Sequence, residues 1–325
     1  MQPFQYIRAE DEARAIAAGA TRNAQFIAGG TNVVDLLRLE VMRPYTVVDI
    51  TGLPLDFVRA EGKGLAIGAL ARNSEVAYHP LVVQRFPVLA EALLAGASPQ
   101  LRNMATIGGN LLQRTRCAYF RDGVSPCNKR APGSGCSARE GFTRMHALLG
   151  TSPHCIAAYP SDMACALVAL DAIVHTKGPK GARALPVTEL HTLPGDHPEI
   201  ETVLAPGELI THIELPPTAF ASRSRYVKVR DRASFAFALA SAAVALELRD
   251  GTIRDARIAL GGVTTKPWRA REAEKLLVGH APGTAVFRDA ADAALVGAQP
   301  TADNAFKVEL AKRTLVRALQ RAGAA

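Results

Sequence analysis

Residues 114–156 read "RTRCAYFRDGVSPCNKRAPGSGCSAREGFTRMHALLGTSPHCI" and show almost no hydrophobic periodicity. A segment of this length with no apolar face has no core of its own to offset its ordering entropy. Yet it holds four of the chain's five cysteines, Cys117, Cys127, Cys136 and Cys155. An odd total and a length of 325 residues argue against a disulfide framework, which belongs to small secreted domains. Metal ligation is the better account. The spacing, C-x9-C-x8-C-x18-C, has no C-x-x-C pair, and by itself it leaves zinc and an iron–sulfur cluster both open. Zinc usually takes closely paired ligands, whereas a four-cysteine cluster site on a long loop can be more open. The glycines and prolines let a backbone bend around such a group, and Arg114, Arg116, Lys129 and Arg130 would offset thiolate charge. Cys165 lies outside the segment, in "DMACALVALDA", and reads as a buried core cysteine. His146 and His154 read as surface loop histidines.

Around this segment the chain alternates helix and strand. "EDEARAIAAGA" has helical spacing, "AQFIAGG" is a short strand ending in glycines, "NVVDLLRLE" is an amphipathic helix and "YTVVDI" a buried strand. "LDFVRA" and "GLAIGAL" flank "EGKG" as a hairpin. Residues 80–103 are helical with proline breaks. "YPSDMACALVALDAIVHT" is a capped helix running into a strand, and strand-like pieces continue to "GELITHIELP". The stretch "LPPTAFASRSR" is the expected domain boundary, giving units 1–216 and 217–325. Beyond it, "SAAVALELRDGTIRDARIALGGV" is a two-strand pattern around a turn, followed by helical "RAREAEKLLVG" and "NAFKVELAKRTLVRALQRAG".

Charge and hydropathy remove several function classes. The net charge is +8, but basic residues are mixed with acidic ones, as in "VRDR", so no nucleic-acid partner is expected. No run approaches the length of a membrane span, and "MQPFQYIRAEDEARAIAAGA" has neither an export signal nor a twin arginine, so no membrane association is expected. A cytoplasmic location is expected unless a partner carries the chain elsewhere.

Two glycine turns carry binding chemistry. "FIAGGTNVVDLL" sets Gly29 and Gly30 between a strand and a helix, with Thr31 and Asn32 able to cap the helix or donate to a phosphate. "TIGGNLLQ" repeats this with Thr106, Gly108, Gly109 and Asn110. Together the turns could cradle a pyrophosphate, although neither is a G-x-G-x-x-G or Walker loop. Each alone also reads as an ordinary strand-to-helix turn. Ser161 and Asp162 at a helix start read as an N-cap, or as a carboxylate for a hydroxyl-bearing ligand. Lys228, among alternating hydrophobics, reads either as a ligand contact or as the solvated face of a strand.

"FIAGGTNVVDLL", "LRNMATIGGNLLQ", "YPSDMACALVALDA", "GELITHIELP" and "RDARIALGGVTTKPWRAREAE" occur in the order found in the FAD-binding medium subunits of molybdenum hydroxylases. That is the xanthine dehydrogenase and carbon monoxide dehydrogenase family, and the resemblance spans essentially the whole chain. It implies an α+β protein with a vanillyl-alcohol-oxidase (PCMH-type) FAD-binding fold: two α/β sub-domains, about 1–55 and 56–216, and a smaller C-terminal α+β domain of the carbon monoxide dehydrogenase flavoprotein type. Carried over by position, Phe26, Ile27, Ala28, Gly29, Gly30, Thr31, Asn32, Val33 and Val34 match the first FAD loop. Thr106, Gly108, Gly109 and Asn110 match the second. Asp162 matches the acidic residue that meets the adenosine portion, Ile210 an apolar contact, and Lys228 the basic contact near the flavin.

In most relatives the second loop runs almost directly into the "PSD" helix. Here "LLQRTRC", "PCNKR" and "PGSGC" resemble the insertion in the FAD subunits of bacterial periplasmic aldehyde oxidoreductases, where it holds a [4Fe–4S] cluster. Hydroxybenzoyl-CoA reductases have a comparable insertion with different cysteine spacing. The resemblance implies an electron-transfer subunit with no catalytic residue of its own. Its expected cofactors are FAD and a [4Fe–4S] cluster on Cys117, Cys127, Cys136 and Cys155. Its expected partners are a [2Fe–2S] small subunit, a molybdenum-cofactor large subunit and an external electron acceptor. It also implies a periplasmic location reached by co-export with a signal-bearing partner. The alternatives are a zinc-stabilised binding module, or the FAD subunit of a xanthine dehydrogenase or hydroxybenzoyl-CoA reductase type of complex.

Overall fold

The computed structural model describes residues 1–218 and 221–324; Ala219 and Phe220, inside the expected boundary segment, lie outside the described residues, as does Ala325. Three sheets organise the chain. The first is parallel, with Thr46–Asp49 between Gln5–Arg8 and Ala24–Ile27. A strand buried on both faces needs covering from both sides, and the central one is buried at all four positions. The helix Glu12–Gly19 follows the first strand and is capped by Asp11, whose Oδ1 accepts from the Arg14 amide at 2.7 Å. The second crossover carries the helix Val33–Arg38, which begins directly after the first glycine turn.

The second sheet is antiparallel, in the order Val58–Glu61, Gly64–Gly68, Leu209–Leu215, Ile173–Gly178, Gly181–Pro186. Against it pack Pro87–Ala95 and the helix Asp162–Ala169. Every residue of Asp162–Ala169 is buried, because the helix also meets the third sheet, whose Ala243 and Ala259 belong to the same core. The contact is close: a Cβ added at Gly261 would lie 2.4 Å from Cys165 Sγ. Cys165 is thus the core cysteine its small-residue surroundings imply.

The third sheet, Trp268–Arg269, Thr252–Gly261, Ala240–Arg249 and Ser224–Val229, is antiparallel and carries the helices Arg271–Leu277, Thr284–Ala294 and Phe306–Gly323. The helix Thr284–Ala294 was not anticipated, although Phe287, Ala290, Ala291 and Ala294 form its buried stripe at helical spacing. The architecture is α+β, as expected.

The cysteine-rich segment contains little regular structure: a helical turn at Ala118–Arg121, a 3-10 turn at Ser137–Arg139, and isolated bridges pairing Cys127 with Cys136 and Ser152 with Cys155. Its apolar support is small, consisting of Leu36, Phe120 and Cys127 with Val41, Met42 and Cys117 beside them. Its far end is tied to the C-terminal domain, where the Leu148 amide donates to Val263 O at 2.8 Å.

Candidate cofactor groove and thiol cavity

The two glycine turns, far apart in sequence, touch in the fold. A Cβ on Gly29 would lie 1.8 Å from Met104 O, so only glycine lets the first turn approach the Met104–Ala105 backbone leading to the second. Gly30 has φ of +72°, a left-handed geometry that favours glycine. In the second turn, Thr106 Oγ1 accepts from the Gly109 amide at 3.2 Å and starts the short helix Ile107–Leu111. Asn110 Oδ1 accepts from Ser161 Oγ at 2.7 Å, and Ser161 Oγ in turn caps the helix Asp162–Ala169.

A groove runs past both turns. One end is a cavity of about 120 Å³ lined by Phe26, Ala28, Gly29, Gly30, Val33, Thr106, Gly108 and Ile210. The other is a cavity of about 390 Å³ with Asn110, Asp162 and Lys228 in its wall. Thr31, Asn32 and Gly109 line both, which puts the turns at the middle of the groove. Of the expected loop residues, Ile27 and Val34 line neither cavity; their side chains pack near Gly30.

Among the described residues, the groove wall carries buried polar atoms with no hydrogen-bond partner. Asn32 Oδ1 accepts from the Arg114 amide at 3.1 Å, but its Nδ2 is buried without a partner. Asn73 Oδ1, Arg102 Nε and Arg116 Nε, in the wall of the larger cavity, are in the same state. Leaving a buried donor or acceptor unpaired costs about 1–3 kcal/mol, so this clustering marks a wall built for a polar ligand. Arg116 is held down to about 10 by burial and by the neighbouring Arg121, and its carboxylate partner, Asp35, stands 3.5 Å away. Amides, guanidinium groups and a helix start around two glycine turns are the chemistry of a pyrophosphate cradle, so FAD fits this donor set.

Asp162 and Lys228 correct the sequence reading. Lys228 is not on a solvated strand face: its Nζ lies 2.7 Å from Asp162 Oδ2, with both side chains buried, and it also donates to Ala95 O at 3.1 Å. The Tyr226 hydroxyl donates to Asp162 Oδ1 at 2.5 Å. The two residues thus meet in the wall of the larger cavity. Tyr226 was missed in the sequence, although it sits two residues from Lys228 on the same strand. Tyr159 and His191 were missed as well. Their Oη and Nε2 lie 2.6 and 2.9 Å from Leu111 O and fix the end of the second turn.

The four cysteines of the insertion line one small cavity with Lys129, His154 and Tyr119. All are free thiols, and the space between them is about 10 Å³. Among the described residues no three His, Cys, Asp or Glu side chains converge as a site for a single metal ion. Burial pushes the Cys117 thiol up to about 12, with Cys127 and Cys155 adding to the rise. Cys155 is raised by burial too, against the pull of Lys129. The basic residues are largely engaged elsewhere. Arg114 pairs with Glu201, Lys129 with Glu201 at 3.1 Å, and Arg130 donates to Tyr119 O and Phe120 O at 2.8 Å. His146, expected on the surface, is buried, and its Nε2 lies 3.2 Å from Cys117 Sγ. Cys117 also lines a further cavity together with Arg116, Phe237 and Asp162 of the groove wall, so this cavity lies between the thiol site and the groove.

The family model described as the FAD binding domain in molybdopterin dehydrogenase matches residues 2–218, and the CO dehydrogenase flavoprotein C-terminal domain matches residues 225–322. The chain is 50% identical to the aldehyde oxidoreductase FAD-binding subunit PaoB of Escherichia coli, over 100% of this chain and 99% of that one. It is 28% identical to the glyceraldehyde dehydrogenase medium chain of Sulfolobus acidocaldarius, over 93% and 90%. The structure titled reconstituted CO dehydrogenase from Oligotropha carboxidovorans superposes with a TM-score of 0.78 at 25% identity, covering 99% of this chain and 98% of that one. With a turn pair and groove of this kind and matches along its whole length, the chain belongs to the FAD-binding medium-subunit family of the molybdenum hydroxylases.

Proposed function

We propose that this chain is the FAD- and [4Fe–4S]-bearing subunit of a heteromeric, molybdenum-dependent aldehyde oxidoreductase. It would relay electrons from the [2Fe–2S] subunit of the complex to an external acceptor. Support for the aldehyde class comes from the 50% identity to a subunit of that name. The observation that carries the two-cofactor reading is an intervening cavity: Cys117 lines both it and the thiol cavity, and its other side is bounded by Asp162 and Arg116 of the groove. FAD, when bound, supplies reversible two-electron chemistry, and a [4Fe–4S] cluster a one-electron centre.

The chain's own part is positioning. Asn32, Gly109 and the start of Ile107–Leu111 hold the pyrophosphate, and Asp162 with Lys228 holds one portion of the dinucleotide. Four sulfurs with no carboxylate among them suit iron–sulfur chemistry, and ligation removes the thiol protons that burial otherwise retains. A multi-iron group keeps its thiolates farther apart than a single ion does, so its binding requires the cavity to widen. In this reading the complex works in the periplasm, carried there folded by a partner's signal.

Co-expression with the partner subunits, followed by flavin, iron, zinc and molybdenum analysis of the purified complex, tests the proposal. Flavin bands with an iron–sulfur shoulder, and iron assigned to this chain, are expected. A colourless chain containing zinc supports instead the zinc-stabilised binding module.

A further inference from the structure

His146 is tied down by its main chain. Its carbonyl accepts from Lys307 Nζ at 2.8 Å, and Lys307 is fully buried and also donates to Gly262 O at 2.7 Å. The His146 amide donates to Thr143 O at 2.8 Å, and the Thr143 amide donates to Asp303 Oδ2 at 3.0 Å. The C-terminal domain thus holds the loop that carries the imidazole. The ring leans on Tyr119, centroids 6.3 Å apart, and presents Nε2 to Cys117 Sγ at 3.2 Å while Nδ1 is buried without a partner.

Once Cys117 is a ligand, this contact can run in one direction. A metal-bound thiolate has no proton to give, so the contact is a hydrogen bond only if Nε2 is the protonated nitrogen. Among the described residues, no other sulfur of the cavity has a side-chain hydrogen-bond partner. The four ligands are therefore inequivalent, and the distinguished one also lines the cavity that borders the groove at Arg116 and Asp162.

We propose that His146 raises the reduction potential of the cluster by donating its Nε2 proton to the Cys117 thiolate, with Lys307 and the C-terminal domain fixing the imidazole in place. The inference rests on the cluster reading above. An N–H···S bond withdraws charge from the ligand and stabilises the more negative, reduced cluster, so its loss lowers the potential.

The test is potentiometric titration of the purified complex, followed by the low-temperature EPR signal that Cys127→Ser removes. His146→Phe, with iron content unchanged, is expected to move the midpoint of that signal to a more negative value. His146→Gln, whose amide places an N–H near the position of Nε2, is expected to bring it back toward the wild-type value. If His146→Phe does not retain iron, His146→Ala takes its place in the comparison. An unmoved midpoint in an iron-loaded variant lacking the donor overturns the inference, as does an equal shift in His146→Gln. A wild-type complex with no EPR signal that depends on Cys127 overturns the cluster reading itself, a result separable from a signal whose midpoint does not move.

Discussion

Lys228 Nζ and Asp162 Oδ2 stand 2.7 Å apart, with side-chain exposures of 4% and 8%, at the junction of the FAD-binding region and the C-terminal sheet. Breaking such a pair strands a charge in a dry site. Lys228→Met is therefore expected to cost about 3–5 kcal/mol in urea unfolding. The double variant Asp162→Asn/Lys228→Met should lose less than the two single losses added together. A single-variant loss within about 1 kcal/mol would show a pair as weak as a surface one.

The glycines of the two turns separate folding from binding. At Gly29 a methyl group collides with the main chain at Met104, so Gly29→Ala should lower the melting temperature and flavin content together. At Gly109 the nearest obstruction is Thr106 Oγ1, at 3.0 Å, and the position lines the groove. Gly109→Val should stay folded by circular dichroism yet lose flavin absorbance. Full flavin retention in that variant would remove the second turn from the cofactor site.

What the sequence disclosed was local. The glycine turns, the Ser161 cap and the hairpin around "EGKG" are written in adjacent residues, and they appear where expected. What it hid was set by distant residues. Lys228 looks solvated until Asp162, well upstream, supplies a buried partner. His146 looks like a loop histidine until Lys307, 161 positions later, draws its main chain into the core. The alanine-rich helix Thr284–Ala294 is quiet in hydropathy, and apart from Phe287 its buried stripe consists of small residues packed between the helices Arg271–Leu277 and Phe306–Gly323.

Lys307 gives a pH dependence whose sign follows from its burial. Desolvation first, and then the charge of Arg144, lowers its value from 10.5 to about 7. Between those values the unfolded chain binds a proton that the folded chain does not. Stability should therefore rise with pH from about 7 toward 10, and be flat in this term below 7. Denaturant midpoints across that window should climb for the wild type. Lys307→Met should lower the baseline, by removing the donor to His146 O and Gly262 O, but abolish the climb. An identical climb in the variant would assign it to other groups.

The cysteines make the sharpest separation. Cys117, Cys127, Cys136 and Cys155 face one cavity, whereas Cys165 lies in the helix between two sheets, its Sγ 3.6 Å from Ser161 O. Residues 117–139 have only Leu36, Phe120 and a few neighbours for an apolar core, so ligation energy is also folding energy there. Serine at any of the four should deplete iron and open residues 117–139 to limited proteolysis, leaving the three sheets intact. Cys165→Ser should keep its iron, because that sulfur faces Gly261 and Ser161 and not the cavity; its cost is confined to packing. Equal iron loss from Cys165→Ser, or zinc in place of iron after anaerobic purification, would defeat the assignment of the four thiols to one iron–sulfur centre.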